Sequence, residues 1–131
     1  MSRTFGAFLA RKHYERDIKY KELAKRTGIS AQHLSDMIQG RRNPTANSEK
    51  IEKIATVLEL SESEKWELYD CIGNDRREVS PDLTEYVMQE ATLRAVLRKA
   101  QRLELGDEFW QEVIEKMEVA EKSTNFLSKS C

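Results

Sequence analysis

The sequence predicts an all-α protein: a five-helix domain followed by a C-terminal extension of two or three helices. Three observations carry this expectation. Apolar residues recur at the 3–4 spacing of amphipathic helices along most of the 131 residues. Only 5 Gly and 2 Pro interrupt that pattern. Charged residues make up 34% and apolar ones 39%, a balance that suits a helical protein with its own core. No strand pattern, internal repeat or low-complexity tract stands out.

Each element has its own signals. Thr4 caps a first helix with Phe5, Phe8 and Leu9 facing inward, running to about Arg16. Asp17 follows, a residue type that tolerates the left-handed conformation of a tight helix exit. The second helix spans about Tyr20 to Arg26, buries Leu23 and Ala24, and stops at Gly28. Ser30 caps the third, which ends at Gly40. Asn47 caps the fourth, with Ile51, Ile54, Ala55 and Leu58 at i, i+3, i+4 and i+7. Ser61 and Glu64 form a capping box that opens the fifth, which carries Trp66, Leu68, Tyr69 and Ile72 and stops at Gly73.

Residues 73–80, "GNDRREVS", read as a polar linker, which divides the chain into domains at 1–74 and 75–131. Ser80-Pro81 is a start signal, a capping residue followed by Pro at the first helical position. The pattern resumes with Leu83, Tyr86 and Val87, then Leu93, Val96, Leu97 and Ala100, with a break expected near Gln89 to Ala91. Gly106-Asp107 breaks and restarts the chain for a last helix bearing Trp110, Val113, Ile114 and Met117. From about Ser123 the tail is expected to fray. Trp66, Trp110, Tyr86, Leu93 and Leu97 are expected to fill apolar packing sites, the C-terminal ones in part at a subunit interface.

Composition narrows the function. No apolar run approaches about 18 residues, so no membrane span is expected. The N-terminus is too charged for a signal peptide, and a cytoplasmic protein is expected. Cys71 and Cys131 make no metal spacing and read as reduced thiols. A phosphate-binding Gly loop, a His-Glu metal helix and a nucleophile elbow are all missing, so no enzyme and no cofactor are expected. Residues 1–60 hold 12 Lys and Arg against 7 Asp and Glu, a net of +5, and residues 61–131 hold 10 against 16, a net of −6. A basic half joined to an acidic half suggests a polyanion-binding module with a differently employed extension.

The stretch "YKELAKRTGISAQHLSDMIQG" identifies the module. Ala24 is a small spacer where two helices cross, Gly28 supplies the turn, and Ile29 and Leu34 plug the corner, which reads physically as a helix-turn-helix. The outer side of its second helix carries Ala31, Gln32, Ser35, Asp36 and Gln39, which are short and suited to hydrogen bonding. A merely solvated helix is usually richer in Lys and Glu.

Residues Leu23, Ala24, Gly28, Ile29, Ser30, Leu34, Ser35, Met37, Gly40 and "RRNP" at 41–44, followed by "IEKIATVLEL", make residues 4–72 resemble the phage-repressor-like helix-turn-helix family. That family includes the lambda and Cro repressors and the XRE-type bacterial regulators. The segment from Pro81 to Met117 also resembles the C-terminal extension of small XRE-type regulators.

The resemblance implies a lambda-repressor-like five-helix fold whose third helix enters the major groove. It implies base contacts from Ala31, Gln32, Ser35 and Asp36. Tyr20, Ser30, Arg41 and Arg42 would hold phosphates, with Gln39 at the groove edge. Its implied partners are double-stranded operator DNA and a second copy of the chain, and its implied role is that of a bacterial transcriptional repressor. An antitoxin or scaffold, binding a protein through the acidic C-terminal helices, is the alternative. Several positions depart from the family: Lys19 stands where a capping residue is usual, Tyr20 where Gln is common, and His13 and Ile38 where many members place an Arg–Glu pair.

Overall fold

The computed structural model describes residues 3–123, which form eight α-helices and no strand. They are α1 (Phe5–Glu15), α2 (Tyr20–Thr27), α3 (Ala31–Ile38), α4 (Ser48–Val57), α5 (Glu62–Arg76), α6 (Thr84–Gln89), α7 (Ala91–Arg102) and α8 (Asp107–Glu121). Contacts divide the chain into residues 1–86 and 87–131. No helix of the described residues is long and apolar enough to cross a membrane. The fraying expected beyond Ser123 falls on residues 124–131, outside the described part.

In the first unit the caps form where the residue types require them. Thr4, Ser30, Asn47 and Ser61 each accept the backbone N–H three residues on, and Glu64 returns a bond to the Ser61 N–H. Lys19 precedes α2 with no side-chain cap. Asp17 takes positive φ at the exit of α1. The inward faces close one core: Phe5, Phe8, Leu9, Leu23, Leu34, Ile51, Ile54, Leu58, Leu68 and Ile72 are all fully buried. α1 packs on α3 and α5, and α2 on α3 and α4.

One charge is buried with this core. Lys12 is 3% exposed and donates to Glu64 and to Glu15. Arg16 also grips Glu64, at 2.8 and 3.1 Å, and donates to Leu58 O at 3.1 Å. Burial by itself lowers the pKa of Lys12, but the bonds to Glu64 and Glu15 outweigh it and the net shift is upward. Glu64 is held down to about 2, first by the Lys12 bond and then by the Ser61 N–H. The positions of the missing Arg–Glu pair are filled differently: His13 stacks on Tyr20 with ring centroids 4.0 Å apart, and Ile38 packs on the core.

Four expectations are corrected. Trp66 is 55% exposed, because it sits about 200° around the helix from Leu68, and Cys71 takes the inward position. Burial pushes the Cys71 thiol up to about 11. α5 runs through Gly73 to Arg76. A Cβ on Gly73 would come within 2.9 Å of Glu78 O and 3.0 Å of Ser80 Cα, so this glycine admits the returning chain and does not end the helix. Ser80 donates its hydroxyl to Asp70, and residues 81–83 form a turn before α6 begins at Thr84. Tyr86 and Leu97 are exposed, where core positions were expected.

In the second unit Glu90 interrupts the helical run, as the pattern near Gln89 to Ala91 predicts, and Arg94 reaches back across the break to the carbonyls of Val87 and Met88. Among the described residues of this unit only Ala100 is buried, while Val96, Leu97, Leu103, Phe109, Ile114, Met117 and Val119 are exposed. Phe109 and Trp110 meet edge to face, 5.1 Å between centroids.

Candidate nucleic-acid interface

The site is built on the turn between α2 and α3. Gly28 takes φ 76° and returns its N–H to Ala24 O at 3.0 Å, ending α2 in a left-handed residue that a Cβ would strain. Thr27 is buried, and its hydroxyl is satisfied by Leu23 O at 2.7 Å. Ile29, Leu34 and Met37 face the core. The inner side of α3 is therefore committed, and its outer side is free to differ.

That outer side forms two stripes. Ala31, Ser35 and Gln39 recur at i, i+4 and i+8, and with Tyr20, Lys21, Leu34 and Ile38 they line a surface cavity of about 360 Å³. Gln32 and Asp36 form the second stripe and are bonded to each other, Nε2 to Oδ1 at 3.0 Å. Ala31, Gln32 and Gln39 are exposed; Ser35 and Asp36 are half-buried. Tyr20 is half-buried, and burial raises its pKa. Ser30 accepts the His33 N–H at 3.1 Å and keeps its own hydroxyl proton to donate.

The end of α3 is a Schellman turn. Gly40 takes φ 79°, its N–H bonds Met37 O at 3.3 Å, and Arg41 N–H bonds Asp36 O at 2.8 Å. This turn sends Arg41 back over the helix it has just left. Its guanidinium donates to Asp36 Oδ1 at 2.8 Å, to Gln39 Oε1 at 3.1 Å and to Ser35 Oγ at 3.3 Å. The Arg41 bond, then the Gln32 bond, hold the Asp36 carboxyl below the usual carboxylate range despite some desolvation. Arg42 is exposed beside it. The residues singled out from the sequence thus lie on one continuous surface.

Three supports were not legible in the sequence. A Cβ on Gly6 would lie 2.1 Å from Ile38 O, so Gly6 lets α1 press against the end of α3. Asp75 accepts the Phe5 N–H at 2.9 Å, and Arg76 donates to Pro44 O at 3.0 Å, tying the loop after α3 to the last turn of α5. Gly6 carried a faint signal, being a glycine inside a helical pattern. Asp75 and Arg76 carried none, because their partners are distant in sequence.

Residues 9–65 match the family model described as Helix-turn-helix. No curated protein and no solved structure matches the chain. The matched segment runs from α1 into the start of α5 and contains every residue of the outer surface described above, and over that segment the chain is similar to helix-turn-helix regulators of the XRE type.

Proposed function

We propose that the protein is a sequence-specific, homodimeric repressor that lays α3 in the major groove of operator DNA. The observation that carries this reading is the outer surface of α3. It offers amide, hydroxyl and methyl groups of short reach, with Lys21, Arg41 and Arg42 at its margins. Base edges in the major groove are read by such groups, and phosphates by the flanking cations. In this reading Ala31, Gln32, Ser35 and Asp36 lie against bases, Tyr20, Ser30 and Arg42 hold phosphates, and Gln39 sits at the groove edge. Repression follows from occupying the site and needs no cofactor.

Dimerisation rests on arithmetic and on the second unit. One helix-turn-helix reads only a few base pairs, and two copies reading half-sites about 34 Å apart supply the missing discrimination. The exposed apolar side chains of α7 and α8 offer the surface to join them. The same exposed surface favours a second reading, in which an antitoxin or scaffold holds a protein partner through these helices.

Selection of bound sites from random DNA tests the first reading, with sedimentation of the free protein and the complex. The expected result is a two-fold symmetric site bound by a dimer. Gln32→Ala is expected to weaken binding to that site by about 1–3 kcal/mol and to relax one base position in each half. A protein that stays monomeric at tens of micromolar, both free and on DNA, would rule out the homodimer.

A further inference from the structure

The sequence assigns Arg41 to a phosphate, but its geometry serves another purpose. We propose that Arg41 is a base reader that recognises guanine in the operator, and that Asp36 is the positioning residue that aims it; this rests on α3 lying in the major groove. Arg41 is fixed at both ends. Its backbone N–H is locked to Asp36 O by the Schellman turn, and its guanidinium is bonded to three side chains of α3.

A guanidinium carries five N–H donors in a planar fork. Three are used by Asp36, Gln39 and Ser35, and the bond to Asp36 takes the single N–H of Nε. Two donors remain, one on each terminal nitrogen. Guanine presents two acceptors in the major groove, N7 and O6, which a planar arginine fork pairs in bidentate fashion. The fork is therefore held, oriented and left with the number of donors that one guanine edge accepts.

Charge supports the same assignment. An acid facing DNA repels the phosphates unless it is neutralised, and Asp36 faces outward from α3. Paired with Arg41 it adds no net charge, and its Oδ1 accepts from both Arg41 and Gln32. Moving Arg41 to a phosphate would break this charge-assisted bond and leave the carboxylate's charge uncompensated toward the groove. Arg42, one residue on and exposed, is placed for a phosphate without that cost.

The test uses the full-length protein and four variants: Arg41→Ala, Arg41→Lys, Asp36→Asn and Arg42→Ala. Each is put through selection from random DNA and then titrated on the selected site and on an unrelated duplex. Wild type is expected to select a guanine in each half-site. Arg41→Ala and Arg41→Lys should both lose that preference by about 10- to 100-fold, since lysine keeps the charge but has no fork. Asp36→Asn should lower the guanine preference while tightening binding to the unrelated duplex, two effects of opposite sign that loss of folding cannot produce. Arg42→Ala should weaken both duplexes alike and flatten the salt dependence.

If Arg41→Ala behaves like Arg42→Ala, or Arg41→Lys keeps the guanine, Arg41 holds a phosphate and the proposal is overturned while groove reading stands. If wild type enriches no sequence, groove reading itself falls and takes this proposal with it.

Discussion

The tripeptide Leu-Glu-Leu ends a helix in each unit of the molecule, at residues 58–60 and at 103–105. The local structure is the same in both. Glu59 and Glu104 take φ 51° and 56°; Leu60 N–H reaches Ala55 O, and Leu105 N–H reaches Ala100 O, each at 3.0 Å. The surroundings are opposite. Leu58 is fully buried and Leu60 packs against the core, whereas Leu103 is 54% exposed. The helices leading to these turns match as well: Ile51, Ile54, Ala55 and Leu58 have the spacing of Leu93, Val96, Leu97 and Ala100. The first four are buried, while Val96 and Leu97 are exposed. Local sequence thus determines the turn and the stripe, but what covers the stripe depends on the rest of the fold.

This contrast puts the closed core in the first unit, and on the proposed reading it gives association to the second. Removing residues 87–131 is the most severe way to break it. A fragment of residues 1–86 retains the whole of the closed core and is expected to melt cooperatively by circular dichroism. On the proposed reading this monomer would bind one half-site at a time, and linking two half-site modules commonly raises affinity by about 100- to 10,000-fold. The fragment is expected to lose at least the lower figure in operator titrations. A fragment that binds the full operator as tightly as the whole chain would contradict the division.

The two leucines give the next comparison. Leu58→Ala opens a cavity in a packed interior and is expected to cost about 2–5 kcal/mol at any protein concentration. Leu103→Ala removes a side chain that the monomer leaves in water and is expected to cost under about 0.5 kcal/mol in dilute protein. If Leu103 is covered by a second copy, the cost grows with concentration. Thermal melts of both variants at two protein concentrations read this directly. Equal, concentration-independent losses would show that residue 103 is packed in the monomer.

What could be read in advance follows the same division between local and distant causes. The caps at Thr4, Ser30, Asn47 and Ser61, the exits at Asp17 and Gly28, and the break near Glu90 depend on a few neighbouring residues. So does the outward placement of Ala31, Gln32, Ser35 and Asp36, which follows from helical spacing once Leu34 and Met37 face inward. The approach of Gly6 to Ile38 O, the Asp75 bond to Phe5 and the convergence of Lys12 and Arg16 on Glu64 join residues far apart in sequence. Ser80-Pro81 misled because the Ser80 hydroxyl is turned toward Asp70 and residues 81–83 form a turn, so α6 begins only at Thr84. Arg41 lies between these cases: its turn was legible from Gly40, but the direction of its side chain was not.

Glu64 provides a pH test of the first unit. Its pKa in the folded chain, about 2, lies below its ordinary value of 4.5. A carboxylate with a depressed folded pKa contributes stability that is fully present above 4.5 and is lost as pH falls toward 2. Glu64→Gln keeps the shape but leaves the buried Lys12 ammonium without its main carboxylate, at an expected cost of about 2–3 kcal/mol at neutral pH. The difference between wild type and variant should shrink through the window from 4.5 to 2. Denaturant titrations of the fragment of residues 1–86 at several pH values measure it. A gap that holds constant down to pH 2 would mean that Glu64 acts through packing and not through charge.

A pair of small expected gains separates the turn from its surroundings most sharply. A non-glycine residue in the left-handed region costs about 1–2 kcal/mol relative to its preferred conformations. Glycine removes that strain but is more disordered in the unfolded chain, which returns up to about 1 kcal/mol. Glu59→Gly and Glu104→Gly should therefore each stabilise their own unit by roughly 0.5–1 kcal/mol. Because the hydrogen bonds and φ values of the two turns agree, the two gains should agree, although the neighbouring leucines differ so much in burial. Glu59→Gly is read in the melt of residues 1–86, and Glu104→Gly in the helicity and association of the full chain. A gain at 59 with a loss at 104 would show that the second turn is held by packing that the exposed face of α7 does not reveal, and the local equivalence of the two Leu-Glu-Leu exits would fail.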